Sequence, residues 1–353
     1  MRILLLMLGY LILLGCESGE QSANSDKLSK LKGAEQSLQT QPQDPSPQPA
    51  ADNASAGLYI NQIQFVGSHN SYKMAMPDGF VKQLLKLNPK VVEALEYEHR
   101  PIAEQLDLGM RKLELDVFYV ADENQFLVGH VQQIDMNSNC GTLRICLKQV
   151  SEWSKNNPSH APVWIGFNAK DEEILGLPDP EAFTPAAFAL MDSIIEEVVG
   201  DQLIRPIQVA GLNWPLLSEA RGKFIMILDE GGVKRDMYYE GWQQRPMFTN
   251  APEDHPAAGI MILNEPIEQI DEIKRLVAAG YMVRTRADAD TREARDNNTS
   301  RRDAAFASGA QAISTDYYLP ATHFGNDYQV ILPQAIRCNP VTAPADCRVF
   351  GRD

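Results

Sequence analysis

The sequence LVAAGYMVR runs from Leu276 to Arg284, and the sequence AFASGAQAI, from Ala305 to Ile313, has the same pattern. Each stretch ends a helical pattern, continues with a glycine where a helix C-cap belongs, and then enters a short β-rich run. Helix and strand that alternate in this way form a parallel sheet with the helices packed outside it. The sequence therefore predicts an α/β fold.

The same alternation extends through the chain on both sides of these two stretches. Short β-rich runs occupy residues 63–68, 112–117, 163–167, 224–228, 259–263, 281–284 and 312–315, and the clearest helical patterns cover 80–98, 185–199, 267–279 and 300–308. No glycine-rich dinucleotide or phosphate-loop signature follows any of these runs. This number of candidate strands in one domain favours a closed TIM-type (β/α)8 barrel over an open doubly wound sheet.

Polar side chains stand where the predicted strands end. In a parallel barrel these ends share one face, and active sites lie there. The strand ends carry His69 with Asn70, Glu114 with Asp116, Asn168 with Lys170, Asp229 with Glu230, Asn264 with Glu265, Arg284 with Arg286, and Asp316. Asp229, Glu230 and Glu265 either line a binding pocket or are the solvated starts of loops.

Glu114 and Asp116 are two residues apart on a predicted strand, so both side chains point to the same face. If that face is the barrel interior, two adjacent buried anions need a cation. Asn70 and Asn168 supply neutral oxygens at neighbouring strand ends, and carboxylate with amide oxygens describes a site for a hard cation. The alternative is that an arginine or lysine, for example Lys170, neutralises the pair.

Two histidines end short apolar runs on the same predicted face. His69 follows the first run, and His130 follows the FLVG sequence that starts at Phe126. Two imidazoles beside a cation provide an acid and a base near neutral pH, which is what cleavage of a phosphodiester by a neighbouring hydroxyl requires. The remaining histidines, which we interpret as bystanders, are His99, His160, His255 and His323.

The net charge of −15 argues against nucleic acid as a partner, because the field of the whole chain repels phosphate. A phosphorylated substrate therefore needs local cations, and Lys170, Arg284 and Arg286 stand at strand ends on the predicted active face. The two arginines share one side of their strand, and guanidinium groups suit phosphate oxygens. Alternatively, the arginines pair with acidic neighbours and brace a loop, the candidates being Asp288, Asp290 and Glu293.

The N-terminus predicts a secreted chain. A basic start and an apolar run that is too short to span a bilayer read as a signal peptide over residues 1–15. Leu13-Leu14-Gly15-Cys16 resembles the bacterial lipoprotein signal, in which cleavage leaves a cysteine that receives diacylglycerol. Residues 16–57 are rich in Ser, Gln and Pro and predict a disordered tether. We expect a membrane-anchored or secreted protein of the bacterial cell envelope, an ordinary secretory signal being the alternative.

Five cysteines are an odd number for an oxidising compartment. Setting Cys16 aside as the lipid anchor leaves Cys140 near Cys146 and Cys338 near Cys347, which predicts two local disulfides. The alternative is unpaired or metal-bound thiols. Residues 58–353 are then long and apolar enough for one catalytic barrel domain, which we expect to be monomeric.

The ordered set Gly67-Ser68-His69-Asn70-Ser71-Tyr72, Gly109 to Asp116 and Gly129-His130 resembles the phosphoinositide-specific phospholipase C catalytic barrel. From about residue 58 onward the chain resembles the bacterial calcium-dependent branch, including residues 284–291 and 314–317 near the end. The resemblance implies a distorted (β/α)8 barrel in which His69 and His130 are catalytic, while Asn70, Glu114 and Asp116 bind Ca2+. Asn168 stands where the superfamily has a further carboxylate ligand.

The resemblance also implies a calcium-dependent phosphodiesterase that cleaves phosphatidylinositol, or a related inositol phosphodiester, through a cyclic inositol phosphate. One alternative is a glycerophosphodiester phosphodiesterase, which shares the barrel, the histidines and the carboxylates. Another is a surface lipoprotein that binds a ligand without catalysis, because Asn168 removes one negative charge from the metal site.

Overall fold

The strands form one sheet in the computed structural model, which describes residues 57–86 and 88–349. They are β1 (Ile63–Ser68), β2 (Lys112–Val120), β3 (Gln125–Val128), β4 (Val163–Ala169), β5 (Phe224–Leu228), β6 (Met247–Thr249), β7 (Ile260–Ile262), β8 (Met282–Arg286), β9 (Ala312–Thr315) and β10 (Ile336–Cys338). The predicted runs correspond to β1, β2, β4, β5, β7, β8 and β9. The three-residue strands β6 and β10 were missed, because neither lies in a longer apolar run, as the equally short β7 does.

The sheet curls into a nearly closed barrel. Its strand order is β6-β5-β4-β2-β1-β9-β8-β7, and all neighbours along this path are parallel. Two further strands extend the sheet, since β3 pairs antiparallel with β2 and β10 pairs antiparallel with β1. Within the part of the chain that the structure describes, no ladder joins β6 to β7. The predicted distorted TIM-type barrel is confirmed.

The helices lie between the strands. They are α1 (Asp78–Leu85), α2 (Pro89–Ala94), α3 (Ile102–Asp107), α4 (Leu143–Asn156), α5 (Pro185–Val199), α6 (Pro206–Val209), α7 (Leu217–Ala220), α8 (Gly232–Tyr239), α9 (Ile270–Ala279), α10 (Arg292–Asp296) and α11 (Ser300–Ser308). Gly280 and Gly309 have φ angles of 104° and 82° and end α9 and α11, as predicted. Among the described residues, no helix is long and apolar enough to cross a membrane.

The prediction of one helix over residues 80–98 was wrong. Two short helices, α1 and α2, occupy this stretch, and the chain is irregular after Ala94. Asn88 caps the start of α2 by accepting a hydrogen bond from the Val91 amide, and Pro89 takes the first helical position. A proline is favourable at that position but ends any helix that precedes it, so the apolar pattern belongs to two segments. The helix predicted from residue 267 begins at Ile270.

Successive side chains of β2 point to opposite faces of the sheet. Leu113, Leu115 and Val117 belong to the apolar core between the sheet and helices α4 and α5. The intervening residues of this strand are Lys112, Glu114 and Asp116, and they are almost completely buried as well. Because successive side chains on a strand point to opposite faces, these three charged groups occupy the barrel interior. An apolar cluster that includes Phe65 and Trp164 fills another part of the fold.

Both predicted disulfides are present. Cys140 pairs with Cys146 at the start of α4, and Cys338 pairs with Cys347 after β10. The predicted signal peptide, the tether and Cys16 lie outside the described residues, apart from Gly57 at the end of the tether.

Gly67 allows β1 and β2 to approach closely. It is the register partner of Lys112, and a β-carbon on Gly67 would lie 1.9 Å from the Lys112 carbonyl oxygen. Gly166 on β4 is a contrasting barrel glycine, since a β-carbon there would find its nearest atoms at 3.9 Å.

We predict that Gly67→Ala lowers the free energy of unfolding by about 3 kcal/mol or more, or prevents folding, because backbone cannot move aside cheaply. Gly166→Ala serves as the matched control and should change this free energy by no more than about 1 kcal/mol. Urea denaturation of both variants measures the difference. Equal stability of the two variants would show that the close approach of β1 and β2 is not constrained by Gly67.

Candidate active site

Glu114 and Asp116 lie together inside the mouth of the barrel. Each residue is 2% exposed. Asn168, at the neighbouring position on β4, donates its side-chain amide to Glu114 Oε1 at 3.2 Å and to Asp116 Oδ1 at 2.8 Å. The structure thus brings together the three residues that the sequence placed at adjacent strand ends. In this orientation Asn168 offers a donor, and its oxygen would face the same space after rotation of the amide.

Asn70 follows β1 and has a φ angle of 45°, a left-handed conformation that asparagine tolerates. Its side-chain nitrogen donates to the Tyr97 hydroxyl at 2.8 Å, and its Oδ1 is buried without a hydrogen-bond partner among the described residues. A buried oxygen without a partner is costly unless a donor or a cation reaches it.

The donor set fits a hard cation. It consists of one orphan amide oxygen on Asn70 and the carboxylates of Glu114 and Asp116. Within the described part of the chain, no group of three or more His, Cys, Asp or Glu could hold a metal, so such a site depends on the asparagines.

Sequence reasoning missed Lys112 as a site residue. It lies on the same face of β2 as Glu114, and its ammonium donates to Glu114 Oε2. Arg284 Nη2 donates to the same oxygen at 2.7 Å. Burial alone would raise the pKa of Glu114, but these two cations hold it well below its usual range. The period-two rule that identified Glu114 and Asp116 also includes Lys112 and could have found it.

Three predicted phosphate-binding residues already contact carboxylates. Lys170 Nζ lies 3.4 Å from Asp116 Oδ2, and Arg286 Nη2 lies 3.9 Å from Asp316 Oδ2. Arg284 bonds Glu114 and, at 2.5 Å, the Asn264 side-chain oxygen. The acidic partner of Arg284 therefore comes from the barrel interior and not from the loop that follows its strand.

His69 is held by a carboxylate that sequence reasoning left without a role. Its Nδ1 lies 2.8 Å from Asp316 Oδ1, at the end of β9, and its Nε2 lies 3.5 Å from Glu114 Oε1. Burial and the nearby Arg286 lower the pKa of His69 well below its ordinary value. Burial raises the pKa of Asp316 to about 6. A proton on Nδ1 that is donated to Asp316 leaves Nε2 as the basic nitrogen.

His130 has a carboxylate partner of its own. Asp135, in the turn after β3, places Oδ2 3.4 Å from His130 Nδ1. Lys73 Nζ lies 2.8 Å from the same oxygen and is completely buried. Burial would raise the pKa of Asp135, but the hydrogen bond to His130 and the charge of Lys73 lower it. Asp135 was also missed, because it lies five residues beyond His130 in a turn of no recognisable pattern.

The other histidines play different parts. His99 Nε2 lies 2.6 Å from the His69 carbonyl oxygen, and burial lowers the pKa of His99 to about 4, so it supports His69 as a neutral ring. His160 is buried against Ser154 at 2.8 Å. His255 and His323 stack on aromatic neighbours.

The sequence left open whether Asp229, Glu230 and Glu265 line a pocket or begin loops, and the structure gives each residue different contacts. The side chain of Asp229 is 12% exposed and lies 3.6 Å from Arg284 Nη1, so it borders the site. Glu265 is half exposed and pairs with Arg301 at 2.8 Å, so it braces a loop. Glu230 accepts a hydrogen bond from the Ala169 amide at 2.6 Å and contacts Lys234 at 3.0 Å.

A nearly closed parallel barrel is the fold of the phospholipase C-like phosphodiesterases. The family model "Phosphoinositide phospholipase C, Ca2+-dependent" matches residues 58–126 and 120–340. The chain belongs to this family and is a phosphoric diester hydrolase. A search of curated proteins gave no match.

Solved structures share the fold at low sequence identity. A calcium-dependent phosphoinositol-specific phospholipase C from a Gram-negative Pseudomonas species is 17% identical with a TM-score of 0.52, covering 81% of this chain and 97% of that chain. A structure of the Pseudomonas enzyme as a myoinositol complex has 16% identity, a TM-score of 0.51 and the same coverages. The Ca2+-dependent enzyme from Streptomyces antibioticus is 18% identical with a TM-score of 0.51, covering 74% and 95%.

Glu230 should make the stability of the protein depend on pH. Burial raises the pKa of Glu230 to about 7, in spite of the adjacent Lys234. A carboxyl group whose pKa is raised by folding stabilises the native state at low pH, and this contribution is lost as pH rises from about 4.5 to about 7. In Glu230→Gln the decline of the free energy of unfolding between pH 5 and pH 7 should be smaller by about 2 kcal/mol.

Urea denaturation across this pH range measures the effect. Glu272→Gln is the control, because Glu272 pairs with Arg275 and folding lowers its pKa. The control should therefore not flatten the decline. Identical pH profiles for Glu230→Gln and the unchanged protein would contradict the raised pKa.

Proposed function

We propose that this protein is a calcium-dependent phosphodiesterase that cleaves phosphatidylinositol, or a related inositol phosphodiester, through a cyclic inositol phosphate. The observation that carries the proposal is a pair of buried histidines, each bonded to its own aspartate: His69 Nε2 lies 3.5 Å from Glu114, and His130 directly follows Gly129, whose amide donates to the Asp116 carbonyl oxygen at 3.2 Å. Family membership supports the substrate class.

His69 is proposed as the general base. Its lowered pKa keeps the ring neutral at physiological pH, and Asp316 fixes the proton on Nδ1. Nε2 then takes the proton of the inositol hydroxyl that neighbours the phosphate, and the hydroxyl oxygen attacks phosphorus. Glu114, at 3.5 Å from Nε2, marks the side of the ring on which the substrate binds.

His130 is proposed as the general acid. Asp135 is ionised and lies 3.4 Å from Nδ1, so it favours the protonated ring. The imidazolium donates its proton to the departing glycerol oxygen, and diacylglycerol leaves. The cyclic phosphate is later opened by water when the two histidines exchange roles.

Asn70, Glu114 and Asp116 would hold calcium, with Asn168 as a further ligand after rotation of its amide. Bound calcium would lower the pKa of the attacking hydroxyl and offset charge on the phosphoryl oxygens. Lys170, Arg284 and Arg286 surround the same space and would bind phosphate or inositol hydroxyls. Arg284 also bonds Glu114, so its replacement would disturb the ligand as well as the substrate.

The decisive experiment incubates the full chain in detergent with phosphatidylinositol, glycerophosphoinositol and glycerophosphocholine, with calcium or with chelator. Phosphorus NMR should show cyclic inositol phosphate, formed only with calcium. His69→Ala and His130→Ala should each lower kcat/KM by about 100-fold to 10,000-fold. The exposed His323 is the matched control, and His323→Ala should retain activity.

Other products would identify other functions. Glycerol phosphate with a free alcohol would show a glycerophosphodiester phosphodiesterase. Calcium binding without hydrolysis of any diester would show a binding lipoprotein. Full activity in excess chelator would reject the calcium mechanism.

We further propose that the protein is a monomer anchored in the bacterial cell envelope through lipidated Cys16. The support is the Leu13-Leu14-Gly15-Cys16 signal followed by a polar tether. Cys16→Ser should release the protein from the membrane fraction, because one acyl-bearing residue supplies the anchor. Fractionation and activity assays measure the outcome. A variant that stays with the membrane would show that another contact holds the protein there.

A further inference from the structure

Lys112 is a buried cation inside the barrel, beneath the acidic residues of the site. The residue is 1% exposed. Its ammonium donates to the Ser68 carbonyl oxygen at 3.0 Å, to Ser314 Oγ at 2.9 Å and to Glu114 Oε2. All three protons of the ammonium are therefore used, and the acceptors come from three different strands, β1, β2 and β9.

The contact between Lys112 and Glu114 restricts how Glu114 can bind a metal ion. Oε2 accepts from both Lys112 and Arg284, the latter at 2.7 Å. Oε1 faces the site, where Asn168 donates to it at 3.2 Å and His69 Nε2 lies at 3.5 Å. Glu114 can thus offer one oxygen to a metal ion, and two fixed cations already offset its charge.

The other lysine of the site is arranged differently. Lys170 lies 3.4 Å from Asp116 Oδ2, and its side chain is 21% exposed. A partly exposed lysine can turn toward solvent or substrate when a metal ion approaches. Lys112 has no such path, since its side chain is enclosed by the barrel and its protons are held by backbone and side-chain oxygens.

We propose that Lys112 is a resident competitor of calcium, which lowers the calcium affinity of the site and holds Glu114 in place when calcium leaves. The inference rests on the proposed function, in which Glu114 binds calcium. The ammonium and the divalent ion share one carboxylate, so the binding of calcium is opposed by a charge that cannot move away. The site is thereby set to respond to high calcium concentrations.

The test is calorimetric titration of the purified full chain with calcium chloride. Lys112→Met removes the charge and should lower the calcium Kd by about tenfold or more, because charges a few ångströms apart in a protein interior repel strongly. Lys112→Gln, which keeps hydrogen-bonding groups, should lower Kd in the same direction. Arg245→Met is the net-charge control and should leave Kd unchanged, since Arg245 pairs with Asp192 of helix α5.

A second readout separates this role from simple structural support. Lys112→Met should lower Tm without calcium, because Glu114 loses a partner, while the rise in Tm on adding calcium should be larger than in the unchanged protein. A purely structural lysine would lower both Tm values equally and leave Kd unaltered.

The outcomes distinguish the inference from the proposed function. If the unchanged protein binds calcium and neither Lys112 variant binds it more tightly, the inference fails and the calcium mechanism stands. If only the variants bind calcium, the competition is confirmed. If none of the proteins binds calcium, both the inference and the proposed calcium dependence are wrong.

Discussion

The burial of two carboxylates on one strand of the barrel is the constraint on which the site depends. Glu114 and Asp116 are each 2% exposed, and an isolated buried anion is strongly unfavourable. Inside the barrel, three cationic side chains and one amide donor surround the pair. They are Lys112, Arg284, Lys170 and Asn168. These positive groups offset the buried acidic residues within a protein of net charge −15.

The two histidine–aspartate pairs lie in contrasting environments, and the contrast supports the assignment of base and acid. Asp316 adjoins the buried Asp288 and has a raised pKa, while Arg286 opposes protonation of His69. Asp135 adjoins Lys73 and has a lowered pKa, so it remains an anion beside its histidine. Titratable groups whose surroundings push their pKa values apart can divide the acid and base roles of one reaction.

Local patterns in the sequence were enough to predict the barrel and the polar residues near the ends of its strands, such as Asn70 and Asn168. The same patterns joined two helices across Pro89 and overlooked β6 and β10, neither of which lies in a longer apolar run. Asp135 depends on a turn and Asp316 depends on the pairing of β1 with β9, so neither contact exists until the fold is formed. A contact between residues that are distant in sequence produces no local pattern from which one sequence could predict it.

The segment from Gly67 to Ser71 holds His69 and Asn70 in place relative to β2. Gly67 allows β1 to approach β2 closely. Ser71 adds two hydrogen bonds to β2: its amide donates to the Glu114 carbonyl oxygen, and its hydroxyl accepts from the Glu114 amide. His69 and Asn70 lie between Gly67 and Ser71. Their position relative to Glu114 is thus set by the backbone pairing and by the short Ser71 side chain. Residues held in this way lose little entropy when a ligand binds, which is what a preorganised site requires.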